Sequence, residues 1–249
     1  MMVLKVPARF VQILLVIILA SIWELLPRAG LVPPIFLPSL SATLIAGYTD
    51  FAELSGHLTT TLGEVALALS ISCLTGVVAG LLVGISVTAR PIILPMASSA
   101  YAIPIVILYP IITAWLGVGA ESKIIFGGFY GFFPAFLSVA AGVHSIPSAY
   151  VLTGRSLGAS RLSLAWYVLV PAALPTILGG IRLGGALAIV GVIVGEMLTS
   201  SSGLGYYISY NRTMMDTPKV YSGIILVILL TLVFDSFIGF LQWLTERRR

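Results

Sequence analysis

The sequence predicts an all-α protein that crosses a membrane about six times. Of its 249 residues, 59% are hydrophobic and 9% are charged, and the mean hydropathy is +1.10. Soluble domains carry about a quarter charged residues, so this composition excludes a soluble fold. A membrane helix needs about 20 apolar residues and satisfies its own backbone polar groups. The length therefore fits a single transmembrane domain over residues 1–249.

Six apolar segments are predicted as spans. We expect the first to be a retained helix rather than a cleaved signal peptide, because no small-residue cleavage pattern follows it. Between the first and second spans, prolines and acidic residues predict a turn followed by a surface helix. The predicted spans are residues 10–26, 62–87, 92–116, 124–143, 174–198 and 221–244.

Lysine and arginine predict the orientation, because they are retained preferentially on the cytoplasmic side of a membrane. With the N-terminus inside, nine of the 13 fall in cytoplasmic segments. Both termini are therefore predicted to be cytoplasmic, and residues 145–173 form the longest cytoplasmic loop. The inner set is Lys5, Arg9, Arg90, Arg155, Arg161, Arg182, Arg247, Arg248 and Arg249, and the outer set is Arg28, Lys123, Arg212 and Lys219.

Small residues recur every four positions in the second span, at Ser72, Gly76, Gly80 and Gly84. This spacing places them on one helical face, and small residues in such a row let two membrane helices approach closely. We therefore predict that the three glycines form a helix-packing seam.

No metal site or catalytic centre is predicted. Cys73 has no partner for a disulfide, and His57 and His144 are too far apart to give a local metal-ligand spacing. The chain contains neither GxSxG nor HExxH, and none of its lysines follows a glycine as a GxxxxGK phosphate cradle requires. An enzyme is therefore not expected, and if transport uses ATP, the nucleotide site is on another polypeptide.

The stretch VLTGRSLGASRLSLAWYVLVPAALP, which begins at Val151, is polar and glycine-broken in a chain that is otherwise apolar. Ser145 is predicted to cap a helix that has Pro147 in its first turn and ends near Leu157. Gly158 then breaks the helix and Ser160 caps a second short one. The product is a compact helix-break-helix unit, with Pro171 and Pro175 where the fifth span begins.

This segment resembles the cytoplasmic signature of bacterial ABC importer permeases, EAA, three residues, Gly, nine residues and Ile-x-Leu-Pro. Gly158 matches the glycine, and Val170-Pro171 stands where Leu-Pro is usual. The first three positions depart from the signature, because they read Leu152, Thr153 and Gly154 and lack the glutamate. The resemblance implies that residues 145–173 couple to an ATPase subunit, through Thr153, Gly154, Arg155, Ser156, Leu157, Gly158, Ala159, Ser160, Arg161 and Pro171.

The resemblance covers nearly the whole chain. HLTTTLGEVALALSISCLTGVVAGLLVGIS, AIPIVILYPIITAWLGVGAESKI and GEMLTSSSGLGYYI are similar to three regions of the permeases that import sulfonates, taurine, nitrate and related small anions. It implies a type I ABC importer permease fold with a cytoplasmic coupling helix, in the bacterial cytoplasmic (inner) membrane. The implied partners are a second copy, separate ATPase subunits that hold ATP and Mg, and an extracytoplasmic binding protein; no nucleic acid is implied.

Other mechanisms remain open on the residues alone. An ion-gradient-driven secondary carrier or channel would be expected to place paired charges near the bilayer midplane or to contain an internal repeat of broken helices. Neither is clear in this sequence. A membrane scaffold without transport is a third alternative.

Ionisable residues inside a membrane need a reason, because burying them is costly. Glu196 precedes the polar run 199–202 at the predicted outer end of the fifth span, where it serves either as a gate or pathway carboxylate or as a structural hydrogen-bond acceptor. Glu24, Glu64 and Asp235 are predicted near the ends of their spans, in boundary or capping roles. Arg182 is predicted to extend its side chain to the membrane interface.

Three aromatic residues of the third span, Tyr101, Tyr109 and Trp115, are candidates for lining a solute passage. Aromatic side chains are equally common in the core and at the interfaces of membrane proteins. Both interpretations stay open at the level of the sequence.

Overall fold

The computed structural model describes residues 7–247, and Lys5, Arg248 and Arg249 of the predicted inner set lie outside this range. Within the described chain all regular structure is helical. It includes a 3₁₀ turn, Ile105–Leu108, and a π turn, Ala165–Leu169. The α-helices are α1 Ala8–Arg28, α2 Leu40–Thr49, α3 Phe51–Ile85, α4 Arg90–Tyr101, α5 Tyr109–Leu116, α6 Ala120–His144, α7 Ser148–Ser156, α8 Arg161–Leu164, α9 Val170–Leu198, α10 Leu204–Thr213 and α11 Thr217–Glu246.

Five of these helices are long and apolar enough to cross a membrane, and a sixth span is obtained if α4 and α5 are counted together. The prediction of about six spans is therefore confirmed, and the predicted third span, residues 92–116, is broken into two helices. The axes of α4 and α5 differ by 80°. Pro104 explains the break, since it donates no backbone hydrogen bond and disfavours helical angles at Ile103.

The core of the bundle consists of α3, α6 and α9, which pack along glycine-lined faces. A Cβ atom on Gly80 would lie 2.8 Å from the Phe136 carbonyl oxygen and the Val139 Cβ, and one on Gly184 would lie 2.6 Å from the Gly131 carbonyl oxygen. Gly76 and Gly84 approach α6 in the same way. In contrast, α1 and α11 bury only 6% of their apolar windows, so they lie at the periphery.

Replacing Gly80 with valine should destabilise the bundle, because every atom beyond Cα enters space that α6 occupies. Overpacking of this kind costs roughly 1–3 kcal/mol. Gly63→Val is the matched control on the same helix, since nothing lies within 4 Å of a Cβ atom there. Thermal melting of the purified protein in detergent should show a lower midpoint for Gly80→Val alone, and equal midpoints would contradict close packing of α3 on α6.

The connection between α1 and α3 contains the predicted turn and short helix. Glu24 accepts hydrogen bonds from the Ser41 backbone N–H at 2.9 Å and from the Ser41 hydroxyl at 2.8 Å. It also pairs with Arg28 at 2.6 Å. Because Ser41 lies in the first turn of α2, the Glu24 carboxylate satisfies a backbone group that the helix leaves free.

An ion pair links the peripheral α11 to the core helix α9. Both oxygens of Asp235 accept hydrogen bonds from the Arg182 guanidinium, and Gln242 accepts a longer one at 3.4 Å. The Arg182 side chain therefore pairs with α11, where the sequence predicted a free extension to the interface. The sequence missed the pair because its two members are 53 residues apart.

Candidate functional site

Two regions at opposite ends of the core carry the candidate residues. The first is the loop of residues 145–173, in which α7, α8 and the π turn lead into α9. The second is a buried polar network where α3 and α6 begin and α9 ends, and its members are His57, Thr61, Glu64, Lys123, Glu196, Ser200 and the turn Gly203–Gly205.

In the 145–173 loop, α7 ends at the predicted break. Gly158 has a φ of +78°, a conformation that favours glycine. Its N–H donates to the Arg155 carbonyl at 2.9 Å, and the Ala159 N–H donates to the Gly154 carbonyl at 3.0 Å. These two bonds define a Schellman motif, which fixes the direction in which the chain leaves α7. As predicted, the Ser160 hydroxyl caps α8 by accepting the Ser163 N–H at 3.2 Å.

The predicted cap at Ser145 is wrong. α6 continues to His144, so Ser145 adopts helical angles at its end and its hydroxyl donates to the Gly142 carbonyl at 2.8 Å. Pro147, which precedes α7, is extended and occupies the cap position. Pro171 and Pro175 lie inside the continuous helical run from the π turn into α9. The end of the 145–173 loop is therefore continuous with the core helix α9.

Close packing holds α7 on α8. A Cβ atom on Gly154 would lie 2.5 Å from the Leu164 Cδ1, so only glycine fits at this buried position without a shift. On the outer face, Leu152 is 67% exposed and Leu157 is 82% exposed. Tyr167 is also exposed. Exposed apolar residues outside a spanning helix, such as Leu152 and Leu157, are typical of a surface that binds another protein.

A groove of about 550 Å³ separates α7 from the corner between α3 and α4. Arg90 and Arg155 line it, and an Arg90 Nη1 lies 2.7 Å from the His144 Nδ1. No acidic residue is among its lining residues in the described chain. The groove therefore carries positive charge that no acidic lining residue in the described chain neutralises.

In the buried polar network, Glu196 joins three helices. Its side chain is fully buried, and its two oxygens accept the Thr61 hydroxyl and the Gly205 N–H, each at 2.7 Å. The Thr61 oxygen in turn accepts the Leu204 N–H at 2.8 Å. The turn between α9 and α10 is thus fastened to α3 through Glu196. Gly203 in this turn has a φ of +101°.

The network also contains a buried ion pair that the sequence did not predict. Lys123 lies 2.5 Å from the Glu64 Oε1 and donates to the Ser200 hydroxyl at 3.0 Å. The predicted boundary position of Glu64 is wrong because α3 begins at Phe51, well before residue 62. The available signal was the i, i+3 spacing of Thr61 and Glu64, which places two polar side chains on one face of an apolar helix.

The three aromatic candidates do not come together. Tyr109 is buried, with its hydroxyl donating to the Gly195 carbonyl and accepting from the Thr199 hydroxyl, both at 2.9 Å. Tyr101 is exposed and stacks on Phe133 at a centroid distance of 6.0 Å. Trp115, on the other half of the bent pair, is 82% exposed. Tyr109 alone therefore contacts the end of α9 near Glu196.

Outside the spans, α10 is fixed by Tyr207. Its hydroxyl donates to the Asp50 carboxylate at 3.3 Å, and Asp50 pairs with Lys219 at 2.5 Å. Burial, together with the neighbouring Asp50 carboxylate, raises the pKa of Tyr207 to about 12. The phenol therefore stays protonated, and able to donate, throughout the physiological pH range.

A broken span, a glycine-packed core and a long loop built into a core helix together define a multi-pass helical membrane protein. A sequence profile described as "Binding-protein-dependent transport system inner membrane component" matches residues 74–245. The chain belongs to this family, whose members are the non-enzymatic transmembrane subunits of ABC transporters.

Several curated proteins are similar over most of the chain. The taurine transport system permease protein TauC of Escherichia coli is 31% identical, over 90% of this chain and 84% of that protein. The putative aliphatic sulfonates transport permease protein SsuC of Bacillus subtilis is 30% identical, over 92% and 84% respectively. An inward-facing structure of the MetNI methionine ABC transporter matches with a TM-score of 0.69 at 16% identity, over 79% of this chain and 98% of that one. The fold is therefore that of a type I ABC importer permease.

Proposed function

We propose that two copies of this chain form the solute pathway of an ATP-driven importer, and that separate ATPase subunits dock on the 145–173 loop. The exposed apolar residues Leu152 and Leu157, in a loop that leads through α8 and the π turn into α9, are the observation that carries the proposal. ATP and Mg are held by the ATPase, since the sequence has no phosphate cradle. Closure of the ATPase pair would move the loop and, with it, α9.

In this proposal both termini and the 145–173 loop lie in the cytoplasm, and the membrane is the bacterial cytoplasmic (inner) membrane. The excess of lysine and arginine on the side of the loop supports this orientation. The opposite end, with α2, α10 and the polar network, then faces the extracytoplasmic binding protein. Glu196 is proposed to organise the gate at this end rather than to bind the cargo, because a bare carboxylate would repel an anion.

The cargo is proposed to be a small anion, namely a sulfonate, taurine, nitrate or a related organic acid. The transport of taurine and aliphatic sulfonates by two of the similar permeases supports this class. Much of the discrimination is expected from the binding protein that delivers the solute. Tyr101, Tyr109 and Trp115 remain candidates for lining the passage.

Reconstitution tests the proposed function. The chain is purified with the ATPase and binding protein encoded beside it, incorporated into vesicles and assayed for uptake of radiolabelled taurine and alkanesulfonates. Uptake should require the binding protein, and it should require ATP on the side of the vesicle membrane where the ATPase is bound. Uptake by this chain alone, driven by an ion gradient, would instead establish a secondary carrier.

Charge reversal at Arg155 should weaken ATPase binding. Because the groove beside α7 contains Arg90 and Arg155 without an acidic residue, its counterpart on the ATPase is expected to be acidic. Like-charge contacts cost several kcal/mol, and about 1.4 kcal/mol is a factor of ten in affinity. Arg155→Glu should therefore reduce affinity for the ATPase roughly tenfold or more in detergent solution.

Arg212→Glu is the control for this prediction, since Arg212 is an exposed arginine of α10 at the opposite end of the bundle. It should leave ATPase affinity unchanged. Equal affinities of the two variants and the wild type would place the ATPase contact elsewhere.

A further inference from the structure

We propose that the buried polar network binds one proton, which the carboxyl groups of Glu64 and Glu196 share. The charge of the network is independent of ATPase docking and of the cargo.

The network contains two acidic side chains but only one lysine. Glu64, Lys123 and Glu196 are 5%, 3% and 1% exposed, so water compensates none of them. Two carboxylates facing one ammonium leave a net charge of −1 when all three are ionised. An uncompensated charge away from water is strongly unfavourable, and a buried group in this position takes up a proton instead.

The three groups are close enough to form one charge system. Thr61, which donates to Glu196, lies one helical turn before Glu64 on α3. Lys123 binds both Glu64 and Ser200, and Ser200 lies one turn after Glu196. Glu196 interacts electrostatically with both Glu64 and Lys123. The two carboxylates and the ammonium therefore belong to one charge system.

The α3 helix provides no second positive charge to compensate the two carboxylates. The His57 Nδ1 accepts the Gly203 N–H at 3.1 Å, so this nitrogen carries no proton and the imidazole is neutral. Its Nε2 lies 3.9 Å from Glu53, whose side chain is 57% exposed and is compensated by solvent. The α3 helix thus adds no positive charge to the network.

The phenols around the network add no positive charge to it. Tyr109 of α5 donates to the Gly195 carbonyl. Tyr206 and Tyr207 of α10 lie with their rings 5.6 Å from that of His57, and the Tyr207 hydroxyl donates to Asp50. The net charge therefore remains that of Glu64, Glu196 and Lys123.

The Glu64 Oε2 suits a proton better than a metal ion. The Glu64 Oε2 is a buried oxygen without a hydrogen-bond partner among residues 7–247, whereas both oxygens of Glu196 are occupied by donors. Calcium takes about six to eight oxygen ligands. Across the same residues, no group of three or more histidine, cysteine, aspartate or glutamate side chains is arranged to hold a metal ion. A proton requires a single lone pair.

Infrared spectroscopy of the full-length chain in lipid nanodiscs tests the proposal. At neutral pH the wild type should contain the C=O stretch of a protonated, buried carboxylic acid, and the band should disappear as the pH is raised. Glu64→Gln and Glu196→Gln should each remove the band, because either variant leaves one carboxylate opposite Lys123. Glu121→Gln, which changes an exposed carboxylate in the first turn of α6, should retain it.

Two results would overturn the proton site. One is a wild-type spectrum without a protonated carboxyl band at any pH from 6 to 8, a measurement that does not depend on the folding of any variant. The other is a band that persists in both glutamine variants, which would place it outside the network. Stabilisation by sodium chloride but not by choline chloride, with no such band, would establish a sodium site in its place.

Discussion

Gly158→Val should uncouple ATP hydrolysis from uptake while leaving the chain inserted in the membrane. At φ +78° a non-glycine residue costs roughly 1–2 kcal/mol, and a β-branched residue is the least tolerant. No atom lies within 4 Å of a Cβ atom at this position, so the cost is entirely in the backbone. The valine variant is therefore expected to lose the Schellman turn and to change the angle between α7 and α8.

Gly158→Asn is the matched control, because asparagine adopts left-handed angles more readily than valine does. In vesicles that contain the ATPase and binding protein, the asparagine variant should transport at close to the wild-type rate. The valine variant should hydrolyse ATP with uptake reduced to a small fraction of the wild type. Coupled uptake by Gly158→Val would show that the turn does not transmit the ATPase movement.

The 145–173 loop was the most predictable part of the fold, because its signals are local. Gly158 required a positive φ and Ser160 capped the helix that follows it, and both are properties of a few neighbouring residues. The predicted cap at Ser145 was wrong because it, too, was inferred from neighbouring residues alone. Where one helix ends and the next begins depends on how far α6 extends, and that is fixed by its packing rather than by the serine.

The spans were predictable from hydropathy, but their geometry was not. Hydropathy places residues 92–116 in the membrane without distinguishing one straight helix from the bent pair α4 and α5. Pro104 alone did not predict the bend, because membrane helices tolerate prolines wherever neighbouring groups satisfy the freed backbone. Likewise, the start of α3 at Phe51 lies in a polar stretch that a hydropathy window excludes.

The polar network was only partly predictable. Glu196 was identified because a carboxylate inside a span needs a partner. Its partners Thr61 and Gly205 come from different helices, and Lys123 was assigned to a loop because its neighbours are polar. Long-range pairs of this kind follow from helix packing, which a single sequence does not encode in any local pattern.

Gly203→Ala should disrupt the polar network. The angles of Gly203, φ +101° and ψ 163°, lie in a region that essentially only glycine adopts. A Cβ atom there would also overlap the carboxylate of Glu196. The added methyl group must displace that carboxylate, which then loses its bonds to Thr61 and Gly205.

Gly30→Ala separates the two causes, because Gly30 has a φ of +72° but nothing within 4 Å of its Cβ position. Gly30→Ala incurs the backbone cost of a left-handed residue, roughly 1–2 kcal/mol, and the more restricted angles of Gly203 cost about 1–3 kcal/mol. Only Gly203→Ala adds overpacking and buried polar groups without partners, each costing roughly 1–3 kcal/mol. Its thermal midpoint in detergent should therefore fall well below that of Gly30→Ala. If the two midpoints fell equally, the turn would be stabilised by its backbone angles alone, and Glu196 would not be the group that fastens α9 and α10 to α3.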